Sequence, residues 1–209
     1  MKAWDTVKLG LVLTAYAVAA CVGLAFVYGK TKAEIDRQET ANLEAAIKEL
    51  FPEADSFKDI TGTIISPDPG VSFENQYSVT RGGTLIGAAI QASGRSYGGP
   101  IKVLVGVNAD GTISRIKIMS HSDTPGLGAN AAKPGYFVDK KAEITFYGQF
   151  SGKAVADPFE PRNDVAVITA ATITSRAVSQ VARTAGRAAA EWLASKRLSE
   201  RLLEREGEP

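Results

Sequence analysis

Cysteine and histidine are nearly missing from this sequence, with one of each among 209 residues. A lone cysteine excludes an internal disulfide framework, and the two together cannot build the ligand sets that hold zinc or iron–sulfur clusters. Neither a metal site nor a nucleophile–base pair of the Ser–His or Cys–His kind is expected. Excess charge is missing too: 24 basic residues stand against 23 acidic ones, a formal net charge of +1. No field strong enough to collect nucleic acid follows from that balance, and nucleic acid is not an expected partner. No repeat or low-complexity tract is present. Any redox chemistry therefore has to come from an organic cofactor or a partner protein.

Charge is absent altogether from Leu9 to Tyr28, 20 residues that span about 30 Å as a helix, the hydrocarbon thickness of a bilayer. A cleaved signal peptide and a lipoprotein signal are the alternatives, the second because Val18-Ala19-Ala20 places small residues before Cys21. Leu24, Phe26, Val27 and Tyr28 carry the apolar run past the usual length of a signal core, so an uncleaved anchor in membrane lipid fits better. Lys2 and Lys8 before the span, with Lys30, Lys32 and Arg37 after it, leave the positive-inside count ambiguous. The short leading tail favours an N-terminus in the cytoplasm and a domain on the extracytoplasmic side. The organisation expected is a tail at 1–8, a transmembrane helix at 9–28, a connecting amphipathic helix at 29–52, a domain at 53–195, and a charged helix end and tail at 196–209. One core is enough for a domain of that size.

Within the connecting segment Ile35, Leu43, Ala46, Ile47 and Leu50 recur at roughly helical spacing, and Pro52 stops the pattern. Residues 61–75 contain Gly62, Pro67, Pro69 and Gly70 and read as a loop. Gln76–Val79, Leu85–Ala92, Ile101–Val107 and Ile113–Met119 read as strands, the last two forming a hairpin around Asn108-Ala109-Asp110-Gly111. Ile144–Tyr147 and Val165–Ile168 are further strand-like pieces. A long alanine-rich helix is expected from about Thr174 to Glu206, with Ala177, Val178, Val181, Ala185, Ala188, Ala189, Trp192 and Leu193 near one face. The fold class is α+β: one N-terminal transmembrane helix, then a mostly antiparallel sheet domain flanked by helices.

Two segments stand out as sites. Thr169-Ala170-Ala171-Thr172-Ile173-Thr174-Ser175 lies at the mouth of the final helix, where unpaired amides and the positive end of the helix dipole favour a phosphate. The plain alternative is that Thr174 or Ser175 is an ordinary N-cap. His121-Ser122-Asp123-Thr124-Pro125-Gly126-Leu127-Gly128 follows directly on a strand, and its glycines let the backbone approach a flat ligand. Its histidine reads as structural. Tyr97-Gly98-Gly99-Pro100 is a similar glycine-rich corner.

His121 to Gly128 resembles the H-x-x-T-P-G-L-G signature, and Thr169 to Ser175 the S/T-G-A-T-x-T-S signature, of the FMN-binding domain family. That domain occurs in the G subunit of the Rnf ion-translocating ferredoxin:NAD oxidoreductase and in the C subunit of the sodium-translocating NADH:quinone oxidoreductase. The resemblance covers almost the whole chain, and the absence of long inserts is more like the Rnf protein. It implies FMN joined covalently through its phosphate to Thr172, a phosphoester made by a flavin transferase. Thr124, Pro125, Gly126, Leu127 and Gly128 would then border the flavin ring, with Thr124 and Leu127 as contacts, and Thr169, Ala170, Ala171, Ile173, Thr174 and Ser175 would surround the linkage. The implied activity is electron relay in an ion-translocating oxidoreductase complex, with the other Rnf subunits as partners and no catalytic acid or base required.

Two departures from the family pattern are visible. The motif glycine is replaced by Ala170, a small loss unless φ is positive there. The acid expected three positions before the first Ser/Thr falls on Ala166, with Asp164 two positions earlier. A cofactor-free binding protein, anchored or acylated at Cys21 after loss of residues 1–20, is the reading from another class, and it predicts a colourless protein.

Overall fold

The computed structural model describes residues 3–206. Lys2 and the end of the expected C-terminal tail, residues 207–209, lie outside the described residues. Two compact units divide between Ala45 and Ala46. The first consists of helix α1, Ala3–Leu50, up to that division. Among the described residues α1 is the helix long and apolar enough to cross a membrane, and its apolar stretch is not buried in protein. A soluble helix of that composition would hide those side chains, so the bilayer is the solvent that suits them.

The second unit contains the last turn of α1 and a five-stranded antiparallel sheet in sequential order: β1 Ser56–Asp59, β2 Val71–Arg81, β3 Thr84–Arg95, β4 Pro100–Asn108 and β5 Ile113–Ser120. Short connections explain the meander. Gly82 and Gly83 both take positive φ, +55° and +79°, which gives the two-residue hairpin between β2 and β3 its twist. Asn108 and Gly111 close the β4–β5 turn through the Gly111 amide at 3.0 Å, and the Asp110 carboxylate accepts from the Thr112 amide at 2.9 Å. A small second sheet pairs β6 Phe137–Asp139 with β7 Ile144–Thr145. The chain closes with α2, Thr172–Glu206.

Alternation along β4 sends Ile101, Val103, Val105 and Val107 into the main core with Ala177, Val178, Val181 and Ala185 of α2. Small residues bring helix and sheet close together; a Cβ on Gly94 would lie 2.7 Å from a Val181 methyl. The opposite face is covered as well. A Cβ on Gly106 would lie 2.9 Å from the Phe51 ring and 3.1 Å from Leu50, so the chain end of α1 packs where glycine leaves room. Coverage on both sides explains why Ile101–Val107 reads as an almost unbroken apolar run rather than a clean alternation. The Ser114 hydroxyl donates to the Leu50 carbonyl at 2.6 Å, satisfying one of the orphan acceptors at the helix end.

The strands differ from expectation in three places. β2 begins at Val71, directly after Gly70, inside the stretch expected to be loop. Strands β1 and β6, both short and mostly exposed, have no apolar run to announce them. Val165–Ile168 is not a strand: it makes one isolated bridge, Pro161 with Val165, and the Gln149 side chain holds the Ala166 backbone at 2.7 and 3.1 Å. Val165 and Ile168 are apolar because they are buried in the core, which needs no ladder.

Candidate functional site

Three segments distant in sequence converge beside the start of α2. Between β3 and β4 the Ser96 amide donates to the Gly99 carbonyl at 2.8 Å, closing a tight turn with Tyr97 on its outside. Gly98 has no room for a side chain, because a Cβ there would overlap the Ser122 carbonyl. After β5, Asp123 is almost fully buried; its carboxylate accepts from the Ser96 hydroxyl at 2.6 Å and the Gly98 amide at 2.7 Å. The Asp123 amide donates to His121 Nδ1 at 3.2 Å, which ties up one ring nitrogen.

Thr124 to Leu127 is a turn closed by the Leu127 amide on the Thr124 carbonyl at 3.2 Å, with Pro125 second and Gly126 third at φ +79°. That is the residue choice a type II turn demands. The buried Asn130 amide group donates to the Gly126 carbonyl at 2.7 Å, locking the turn to the short 3-10 helix Gly128–Ala132. Gly128 sits against Asp123 and Thr174, and a Cβ there would overlap the Thr174 hydroxyl.

The third segment is another turn. The Ala171 amide donates to the Ile168 carbonyl at 3.0 Å, and Ala170 in its third position has φ +60°. This is left-handed backbone on an L-residue, the case in which replacing the motif glycine carries strain. Helix α2 starts at Thr172, earlier than expected, so Thr174 and Ser175 lie inside its first turn and neither is the N-cap. The Ser175 hydroxyl donates to the Ala171 carbonyl and accepts from the Ile168 amide, both at 3.0 Å, and the Ser175 amide is bonded to Ala171. Among the described residues the amides of Thr172, Ile173 and Thr174 have no protein partner. No acidic residue occupies the first turn to compete for them.

Together these segments line a cleft of about 610 Å³, within the range of roughly 300–1,000 Å³ usual for ligand sites. Of the residues singled out in sequence, Thr124, Leu127, Gly128, Ala170, Ala171, Thr172, Ile173 and Thr174 line it. Thr169, Pro125, Gly126 and Ser175 do not; the first three are exposed beside the cleft and the last is buried beneath it. Tyr97 and Asp123 line it too; both fall in glycine-rich segments that stand out in sequence, but neither is named there as a contact. Thr174 is 1% exposed, lines the cleft and has its hydroxyl against Gly128. The free amides and the half-buried Thr172 hydroxyl suit a phosphate, while Tyr97, Leu127 and Ile173 offer apolar surface to a ring. The donor set fits FMN.

A larger hollow of about 700 Å³ around Gln149, Arg162 and Ala166 contains neither motif. Its polar groups serve each other. Asp164 accepts from the Phe159 amide at 3.0 Å and from the Glu160 amide, and pairs with Lys153 at 2.8 Å. Burial alone would push the Asp164 carboxyl up, but Lys153 and the two amides outweigh it and hold the carboxyl below its ordinary value. The acid nearest the motif is thus committed to its own loop, and Ala166 at the family's acidic position is exposed and apolar.

Residues 96–186 match the FMN-binding domain family. The chain is 33% identical over 165 residues to the G subunit of the ion-translocating oxidoreductase complex of Methanosarcina acetivorans, covering 78% of this chain and 82% of that one. It is 32% identical to the G subunit of the proton-translocating ferredoxin:NAD(+) oxidoreductase complex of Clostridium ljungdahlii, over 75% of this chain and 77% of that one. Identity to the G subunit of the Na(+)-translocating ferredoxin:NAD(+) oxidoreductase complex of Acetobacterium woodii is 30%, over 84% and 88% respectively.

Proposed function

Since this chain belongs to the family of G subunits of ion-translocating oxidoreductase complexes, we propose that it is a membrane-anchored flavoprotein subunit relaying electrons through FMN esterified to Thr172. The complex is of the Rnf type, coupling ferredoxin and NAD redox to ion transport, and a flavin transferase installs the cofactor. The domain stands outside the membrane and the N-terminus in the cytoplasm. A flavin held weakly on that side would be lost, whereas an ester keeps it at fixed stoichiometry.

When bound, FMN supplies the electron-accepting ring, and the protein supplies attachment, orientation and electrostatics. Thr172 offers its oxygen at the first position of α2, beside amides that favour negative charge. Thr174, beside Thr172 in the same cleft, would face the phosphate, and the turn Thr124–Leu127 would border the ring. Electron relay of this kind calls for no side-chain acid or base, and among the described residues no metal-binding cluster is present. The observation that carries the reading is the meeting of both family signatures at one cleft over a helix start with free amides.

The test is a denaturing gel of membranes from cells with a matching flavin transferase, viewed under ultraviolet light. A fluorescent band for the wild type that vanishes in Thr172→Ala is expected. Equal bands in both lanes would make Thr172 the wrong site, and a dark wild-type lane would favour a cofactor-free binding protein.

A further inference from the structure

We propose that Tyr97 is the aromatic wall of the flavin cleft, its phenol stacking on the ring system of the cofactor, and that Asp123 is the positioning residue that aims it there. This deepens the reading that FMN occupies the cleft and rests on it. Tyr97 is 72% exposed, and Leu127 and Ile173 beside the same cleft are 41% and 52% exposed. Exposed large apolar side chains converging on one hollow mark a surface waiting for an apolar or aromatic ligand. A flat ring held by its phosphate tail at Thr172 has these three side chains to rest on, and Tyr97 is the aromatic one.

A surface tyrosine ordinarily needs no anchoring, yet the turn that carries this one is held from three directions. The Ser96 amide bonds Gly99, and the Ser96 hydroxyl and Gly98 amide both bond the Asp123 carboxylate. Gly98 is packed against the Ser122–Asp123 backbone with no space for a Cβ. Asp123 itself is 5% exposed, and no lysine or arginine pairs with it among the described residues. Burying a carboxylate is unfavourable unless hydrogen bonds replace water, and here both bonds go to the Tyr97 turn. The same residue touches Gly128, whose other neighbour is Thr174 on the phosphate side of the cleft. Asp123 therefore ties the wall to the floor, fixing the distance between an aromatic face and the helix start. Preorganising a ring-binding side chain in this way lowers the entropy cost of stacking.

The experiment uses the full-length flavinylated chain in detergent micelles and reads flavin fluorescence yield and lifetime against Tyr97→Ala and Tyr97→Trp. A stacked phenol or indole quenches an excited flavin by lending it an electron that returns on decay. Tyr97→Ala is expected to raise the yield at least threefold, and Tyr97→Trp to keep it low. Yield and lifetime are read per covalently bound flavin in each variant, so a change in flavin loading does not enter the comparison. Asp123→Asn is expected to give an intermediate yield with a spread of lifetimes. An unchanged yield in Tyr97→Ala, with flavin bound, overturns the proposal while leaving FMN at Thr172 intact. A wild type without covalent flavin overturns the functional reading instead. Should Asp123→Asn fail to fold, the Tyr97 pair decides alone.

Discussion

A single backbone angle explains the most visible departure from the family signature. Ala170 occupies the third position of the turn Ile168–Ala171 with φ +60°, and a Cβ in left-handed backbone costs about 1–2 kcal/mol. Glycine relieves that strain but adds freedom to the unfolded chain, worth about 0.4–1 kcal/mol in the other direction. Ala170→Gly is therefore expected to stabilise the protein by about 0.5–1 kcal/mol, a rise of ~1–4 °C in melting temperature for a chain of this size. Thermal unfolding of the full chain in detergent checks it, and an equal or lower melting point means the turn is not strained. Sequence marks this position and the condition under which it matters, but φ cannot be read from residue types alone. Tyr97 and Asp123 are less legible still. Their roles depend on hydrogen bonds that Asp123 accepts from Ser96 and Gly98, 27 and 25 residues away, and no local pattern encodes such a pairing. The glycines are the usable signal: Gly98 and Gly128 are both places where another segment leaves no space for a Cβ.

The loop between Lys153 and Ile168 shows how an element without regular structure is held. Lys153 pairs with Asp164 at 2.8 Å and with Asp157 at 3.5 Å, and its ammonium lies 5.6 Å from the Phe159 ring centre. Phe159 stacks on Phe150 with centroids 6.3 Å apart, so the charged pair sits on an aromatic floor. Because the folded state holds the Asp164 carboxyl below its ordinary value, the unfolded chain binds the proton more tightly, and stability falls as pH drops. The contribution is fully present above an unfolded carboxyl pKa of about 4 and is lost as pH falls below it. Asp164→Asn is expected to cost about 1.5–3 kcal/mol at pH 7, with the deficit against wild type shrinking as acid unfolding is followed from pH 5 to 3. A deficit independent of pH means the charge of Asp164 contributes nothing. In the same loop Val165 and Ile168 look like strand residues because burial and strand pairing leave the same short apolar run. Longer patterns are clearer. The core strands β3, β4 and β5 and the α2 stripe are readable because alternation and helical spacing repeat over many residues, whereas β1 and β6 offer only four and three residues with little buried.

At the scale of the molecule, a long apolar helix precedes a domain whose core is complete on both sides of its sheet. The domain's own packing therefore does not require the apolar surface between Leu9 and Tyr28, and a bilayer accounts for it. Which side of that bilayer the domain occupies decides whether the flavin meets donors and acceptors inside or outside the cell. The near absence of cysteine makes the question easy to pose. Cys21 lies within the span and is the chain's one cysteine, so Cys21→Ala removes the background thiol without breaking a disulfide. Ser151 is exposed on the domain and lies outside the cleft. In the Cys21→Ala background, Ser151→Cys is expected to react with a membrane-impermeant maleimide in intact cells, to the same extent as in permeabilised ones. Reaction only after permeabilisation would put the domain in the cytoplasm. In that case an ester to Thr172 could no longer be explained as protection against loss of flavin to the exterior, and its advantage would have to lie in holding the ring at a fixed distance from its redox partners.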